Sequence, residues 1–335
     1  RLAVGGSGAP PDLPTVLPGE DTPVVPLPED LGQPVETFSA VTAADGSFSI
    51  PDVPAILGSL KARASATTPD AELNGRSAAV EPLPGGVTDL GQIRVSDFST
   101  LYGSAFLGPN GPSTLYEIDP ETGVATLIGS IGFLRVGAMD FSEDGKLYAV
   151  GRDPVSRENV FLTIDPATGA GSEIGPTGVE TLGFGDTISD ISFRPSDGVL
   201  FAYLEAGDGL GVIDLATGAV TALGPTRVSC CGNGIAFAAD DRLLHVNEDS
   251  LHFLDQASGE ATEILPMSYP GEFFFPRVNS MDFRPDTEEL FAFLVGDFGG
   301  TPIFLVRVDP TTGAVTVVGG QTVNGLDAIA WGPPR

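Results

Sequence analysis

The sequence predicts an all-β protein: an extended N-terminal segment, a small β-sandwich and a five-bladed β-propeller. Three observations carry this. A phrase of four short apolar strands recurs five times after about residue 99. Turn chemistry is abundant, with 44 Gly and 29 Pro in 335 residues. The strands alternate apolar and polar positions, and no segment sustains a 3.6-residue period, so period two dominates.

The repeat can be followed strand by strand. An apolar strand ending in an aromatic recurs as VGAMDF to Phe141, ISDISF to Phe193, GNGIAF to Phe237, VNSMDF to Phe283 and LDAIAW to Trp331. An LYA-like strand follows it, as in Leu147–Ala149, Leu200–Ala202 and Leu290–Ala292. Next comes a strand ending in Asp, at Asp119, Asp165, Asp214, Asp255 and Asp309, which lie 46, 49, 41 and 54 positions apart. That spacing is the period of a four-stranded propeller blade. The last is a short strand such as ATLIG or TVVG. DPETG, DPATG, DLATG, DQASG and DPTTG lead from the Asp-ended strand to this short one, with Asp opening the turn and Gly taking the positive φ. The repeat region opens on an LYA-like strand and ends on an aromatic-ended one. The C-terminal strand therefore completes the first blade and closes the ring over 98–335.

Upstream, residues 35–97 alternate strand-like runs with DG, PDVP and PGG turns, and read as the sandwich. Residues 1–34 hold 8 Pro and 5 Gly and no aromatic. Taken alone they are an extended, polyproline-like segment. Its apolar residues are grouped as Leu2/Val4, then Leu13, Val16 and Leu17, then Val24, Val25 and Leu27. Pro26 and Pro28 both lack an N–H on one edge, so that stretch pairs through its other edge only. The sequence opens at Arg1 with neither Met nor a signal-peptide pattern, so a processed or truncated product is expected.

Two resemblances rest on these strings. IDPATG and DFSEDGKLYAVG resemble repeats of YVTN-like bacterial surface and secreted propellers. TAADGSFSIPDVPA and PLPGGVTDLGQIRV resemble the carboxypeptidase regulatory-like (transthyretin-like) β-sandwich, whose usual opening strands are poorly represented here. The first resemblance implies a surface or secreted protein. The second implies a sandwich short of an edge strand.

Charge narrows the function. Sixteen Lys and Arg against 45 Asp and Glu give −29, a field that repels phosphate and disfavours nucleic acid and anionic membranes. No apolar run is long enough for membrane insertion. Catalytic patterns are missing: HExxH, GxSxG, Walker A and spaced Cys/His clusters are all absent, and neither a metal nor a cofactor is expected. His245 and His252 read as strand filler. A glycosidase-like enzyme would draw its paired carboxylates from Asp140, Asp190, Asp282 and Asp327. Adjacent Cys230 and Cys231 are open between two buried thiols, a vicinal disulfide and intermolecular bonding. The insertion 266–279, with Tyr269, Phe273, Phe274 and Phe275, is either a contact loop or a cover over the propeller core.

A strand-deficient sandwich beside an extended segment suggests strand complementation, either in trans, from one copy to the next, or in cis, with the segment filling its own sandwich or lying on its own propeller. The leading expectation is a non-enzymatic structural subunit of an extracellular bacterial filament or surface assembly, polymerised head-to-tail with itself. Leu13, Val16, Leu17, Val24, Val25 and Leu27 are the candidate assembly residues. The alternative is a secreted binding or adhesion module for glycan or protein. The glycosidase-like reading is third.

Overall fold

The computed structural model describes residues 2–6, 36–43, 47–54, 60–67, 72–77, 80–90, 95, 97–106, 108, 111–179, 188–207, 209–228, 234–271, 273–296 and 301–335. The chain is all-β and forms two compact units, Arg1–Asp97 and Phe98–Arg335.

In the first unit the strands are β1 (Leu2–Gly6), β2 (Glu36–Ala40), β3 (Leu60–Thr67) and β4 (Glu72–Arg76), in the order β2-β1-β3-β4. Every pairing is antiparallel. β1 is therefore interior: its register sets Val4 opposite Phe38 on one side and Ala62 on the other. The opening LAVGG contains no proline, so both of its edges can pair, unlike the proline-interrupted stretch at 24–28. Phe48, Ile50, Val53 and Leu90 pack on buried Leu60 and Ala62. Among the described residues this unit has one sheet, where the sequence predicts a sandwich.

The second unit contains β5 (Thr100–Ala105), β6 (Pro112–Ile118), β7 (Ala125–Phe141), β8 (Leu147–Arg152), β9 (Asn159–Ile164) and β10 (Gly171–Pro176). Then come β11 (Asp190–Phe193), β12 (Leu200–Leu204), β13 (Gly209–Ile213) and β14 (Val220–Pro225). β15 (Gly234–Phe237), β16 (Leu243–Val246), β17 (Ser250–Leu254) and β18 (Ala261–Pro266) follow. The chain ends with β19 (Arg277–Phe283), β20 (Leu290–Val295), β21 (Ile303–Val308), β22 (Val315–Gln321) and β23 (Leu326–Gly332).

β11–β14, β15–β18 and β19–β22 are each a four-stranded antiparallel meander. The other strands form one seven-stranded sheet, β10-β9-β8-β7-β6-β5-β23. β7 joins its two halves, since Ala125–Leu134 pairs with β6 and the Ala138–Phe141 end pairs with β8. The last strand, β23, pairs antiparallel with the first, β5. The inner strands touch in the order β7, β11, β15, β19, β23, and β23 returns to β7. This closed ring of sheets is a β-propeller.

The core lies between neighbouring sheets. Leu101 and Ile118 pack with Phe291, Phe293 and Trp331. Tyr148 and Phe161 pack with Ile191, Leu200 and Ile213. Phe201 and Tyr203 meet Ile235 and Leu254, and Leu244 and Val246 meet Leu290 and Leu294. Each sheet thus buries both faces on its neighbours, which removes open faces from the ring.

Candidate functional site

The inner strands place Asp140, Asp190 and Asp282, three of the four sequence-predicted carboxylates, where the strands of the ring meet and give them backbone partners. The residue directly before each terminal aromatic is Asp140, Ser192, Ala236, Asp282 or Ala330. Asp140 Oδ1 accepts from Phe141 N–H and its Oδ2 from Phe193 N–H on the next inner strand, both at 2.7 Å. Ser192 Oγ accepts from Phe237 N–H at 3.1 Å. Asp282 accepts from Phe283 N–H and, through Oδ2 at 2.7 Å, from Trp331 N–H. Three side chains therefore serve the N–H groups of all five aromatics. Where the preceding strand offers alanine, the aromatic is served by the Asp beside it. Buried N–H groups need such partners.

Two residues earlier on the strands a second layer is built around Asp190, which is 1% exposed. It accepts from Ile191 N–H at 3.1 Å, Ile235 N–H at 2.9 Å, Met281 N–H at 3.3 Å and Ser280 Oγ at 3.0 Å. Ser280 Oγ in turn accepts from Ile329 N–H at 3.1 Å. Asp190 thus ties β11, β15 and β19 together, and Ser280 extends the tie to β23. Asp327 stands apart from this layer and accepts from Asn279 Nδ2 at 2.8 Å. Sequence reasoning missed Ser192 and Ser280. Their signal was the alignment of the two columns, D-S-A-D-A and A-D-G-S-A, in which Ser stands in for Asp.

Electrostatics follow from burial. Desolvation pushes Asp140 up to about 7, against the pull of Phe193 and Phe141 N–H groups. Desolvation and then the charge of Asp140 raise Asp282, and desolvation raises Asp190 despite its four donors. The hairpin aspartates behave oppositely. The hydroxyls of Thr168, Thr217 and Ser258, together with backbone N–H groups, hold Asp165, Asp214 and Asp255 below the usual carboxylate range. These residues close Asx turns whose glycine N–H returns to the Asp carbonyl at 2.7–2.8 Å.

His245 is buried in β16, its Nδ1 3.1 Å from the Gly234 carbonyl and its ring stacked 4.4 Å from Tyr203. Burial depresses it to about 3, so it stays neutral in the strand. Among the described residues no cluster of three or more His, Cys, Asp or Glu is arranged to hold a metal.

The 266–279 loop divides its aromatics. Phe273 packs on Phe304 with ring centroids 5.1 Å apart, and both Phe273 and Tyr269 lie against the β15–β22 core. Burial, followed by the charges of Asp249 and Glu248, raises the Tyr269 hydroxyl. Ser268 anchors the loop through its backbone, donating to Gly313 O at 2.8 Å and accepting from Val315 N–H at 2.9 Å. Phe274 is 81% exposed and Phe275 40%, their rings edge-to-face at 4.5 Å. The loop covers core with one half and presents aromatic surface with the other. Leu13, Val16, Leu17, Val24, Val25 and Leu27, and the pair Cys230 and Cys231, lie outside the described residues.

No protein-family model matches the chain, and no curated protein matches it. Among solved structures, it is similar to a chain of the nidogen/laminin complex, at 12% identity over 69% of this chain and 98% of that one, TM-score 0.45. A structural genomics protein of unknown function from Bacteroides thetaiotaomicron is similar at 15% identity over 97% and 80%, TM-score 0.45. TolB from Acinetobacter baumannii is similar at 14% identity over the whole of both chains, TM-score 0.40.

Proposed function

We propose that the chain is a structural subunit of an extracellular bacterial filament or surface assembly, joined head-to-tail to copies of itself by β-strand exchange. In this reading the propeller has five blades built from YVTN-like repeats, and the N-terminal unit is a carboxypeptidase regulatory-like domain. The observation that carries the reading is β1. This five-residue strand begins at Leu2, lies between β2 and β3, and is separated from β2 by residues 7–35. Removing it would leave two strands with unpaired edges facing one slot. A strand of the same sequence from another copy would restore every hydrogen bond, so exchange conserves the contacts. The 29 residues between β1 and β2, fully extended at ~3.3 Å each, span roughly 95 Å, ample to reach a neighbour. Exchange of this kind need not close on itself, and so extends into a filament.

Negative-stain microscopy tests this with three chains: full length, one lacking residues 1–6 and one lacking residues 1–34. Filaments from the first and single particles from both deletions are expected. Monodisperse particles from concentrated full-length chain, or filaments from either deletion, overturn the reading.

The exposed Phe274–Phe275 pair favours a second reading, a secreted binding or adhesion module contacting glycan or protein through the propeller. An aromatic pair on an anchored loop offers rigid apolar area at small entropic cost. Thermal shift against a glycan panel, with Phe274→Ser as the matched variant, separates the readings. A saturable stabilisation lost in Phe274→Ser supports binding. A glycosidase-like role has less support, because the oxygens of Asp140 and Asp190 are engaged by backbone N–H groups.

A further inference from the structure

We infer that Asp140 and Asp282 form a proton-sensitive clasp on the propeller ring, holding it more tightly when the pair keeps a proton, whether or not the chain assembles.

The clasp is visible in the geometry. Asp140 ties β7 to β11 through Phe193 N–H, and Asp282 ties β19 to the closing strand β23 through Trp331 N–H. Each also binds the N–H of the residue that follows it. Asp140 is buried and Asp282 half-buried, the two hold the same column of the inner strands, directly before the terminal aromatic, and the charge of Asp140 opposes ionisation of Asp282. Neutral alternatives occupy the same column at Ser192, Ala236 and Ala330, so the ring tolerates uncharged residues there.

The surrounding charges do not relieve the pair. Of the strands packed on β7 and β19, β15 and β20 carry no ionisable side chain. β8 brings Tyr148 and Arg152, β11 brings Asp190, and β23 brings Asp327, which is held by Asn279. β5 brings Tyr102, whose hydroxyl donates to Pro333 O, β6 brings Tyr116 and Glu117, which pairs with Arg335, and β10 brings Glu173. Arg194 and Arg284 follow β11 and β19 but lie over the Phe201 and Trp331 rings, at 5.2 and 5.1 Å.

Proton counting gives the sign. The folded chain holds a proton at Asp140 up to about pH 7, whereas the unfolded carboxyl releases it near 3.8. Between those values the folded state binds more protons, so stability is highest below the window and falls as pH rises through it. Each proton retained makes the unfolding constant rise up to tenfold per pH unit.

Trp331 is the single tryptophan, is buried, and sits on β23 beside Asp282, so its fluorescence reports ring closure directly. Denaturant titrations of the full chain from pH 4.5 to 8 are expected to show the unfolding constant rising across that range. The slope should flatten in Asp140→Asn and persist in Asp214→Asn, an exposed turn control. A slope unchanged in Asp140→Asn would belong to Asp190, which burial also raises, or to the general −29 charge, and would overturn the clasp. If Asp140→Asn does not fold, infrared spectroscopy of the wild-type chain decides. A protonated-carboxyl carbonyl band at pH 6 that vanishes on unfolding is expected, and its absence overturns the proposal.

Discussion

Asp190 shows how a single carboxylate can hold a ring together. Its four donors come from three strands that are neighbours only in space. Asp190→Ala would leave those donors unsatisfied in a dry site, and each such loss is costly. A destabilisation on the order of 3 kcal/mol is expected, measured as a shift in denaturant midpoint. Asp190→Asn retains one acceptor oxygen and should lose less. Phe274→Ser removes a ring that touches solvent over most of its area, so its effect on stability should stay within about 0.5 kcal/mol. The turn aspartates were legible as turn residues because Asp-to-Gly hairpin chemistry is local. The axial aspartates were visible only as candidates, since three of the four donors to Asp190 lie 45 to 91 positions away.

At the scale of the elements, glycine explains how successive sheets come close. Gly129, Gly175 and Gly224 on the outer strands abut the turn carbonyls of Thr168, Thr217 and Ser258 in the next hairpin round the ring, and Gly319 abuts Thr122 across the closure. A Cβ at any of them would land on backbone oxygen, which cannot swing away. Gly224→Ala should therefore cost roughly 1–3 kcal/mol by overpacking, whereas Gly178→Ala meets no atom and is penalised only by its positive φ. Thermal unfolding of the two variants side by side separates sheet-to-sheet contact from backbone strain. Pro176, Pro225 and Pro266 end β10, β14 and β18, where a missing N–H blunts an outer edge against stray pairing. The recurring IG and LG dipeptides were legible in the sequence as strand ends. That they are contact points between sheets was not, because the contact partner belongs to a different repeat.

For the whole molecule, closure through β23 is the decisive event. Truncating the chain after residue 325 removes β23, leaving β5 without its partner and exposing the faces that cover Leu101, Phe291 and Met139. Loss of cooperative unfolding and aggregation are the expected results, read by size-exclusion chromatography. The −29 charge acts over the same scale. If copies assemble, their repulsion is unscreened at low salt, so polymer should shorten as ionic strength falls from about 0.15 M to about 0.01 M. Light scattering across that range checks it.

Strand periodicity and turn residues were enough to establish that the chain is all-β, that its strands come in repeated sets, and that Asp-to-Gly turns join them. These properties depend on residues within a few positions of one another. The interior place of the first five-residue strand had to come from the fold, as did the double role of the 266–279 loop, which covers core and displays Phe274. So did the binding of backbone N–H groups by the inner-strand carboxyls. Each of these depends on which distant strand supplies a donor, an acceptor or a surface to bury. In a ring, those neighbours are set by closure, which no local stretch of sequence specifies.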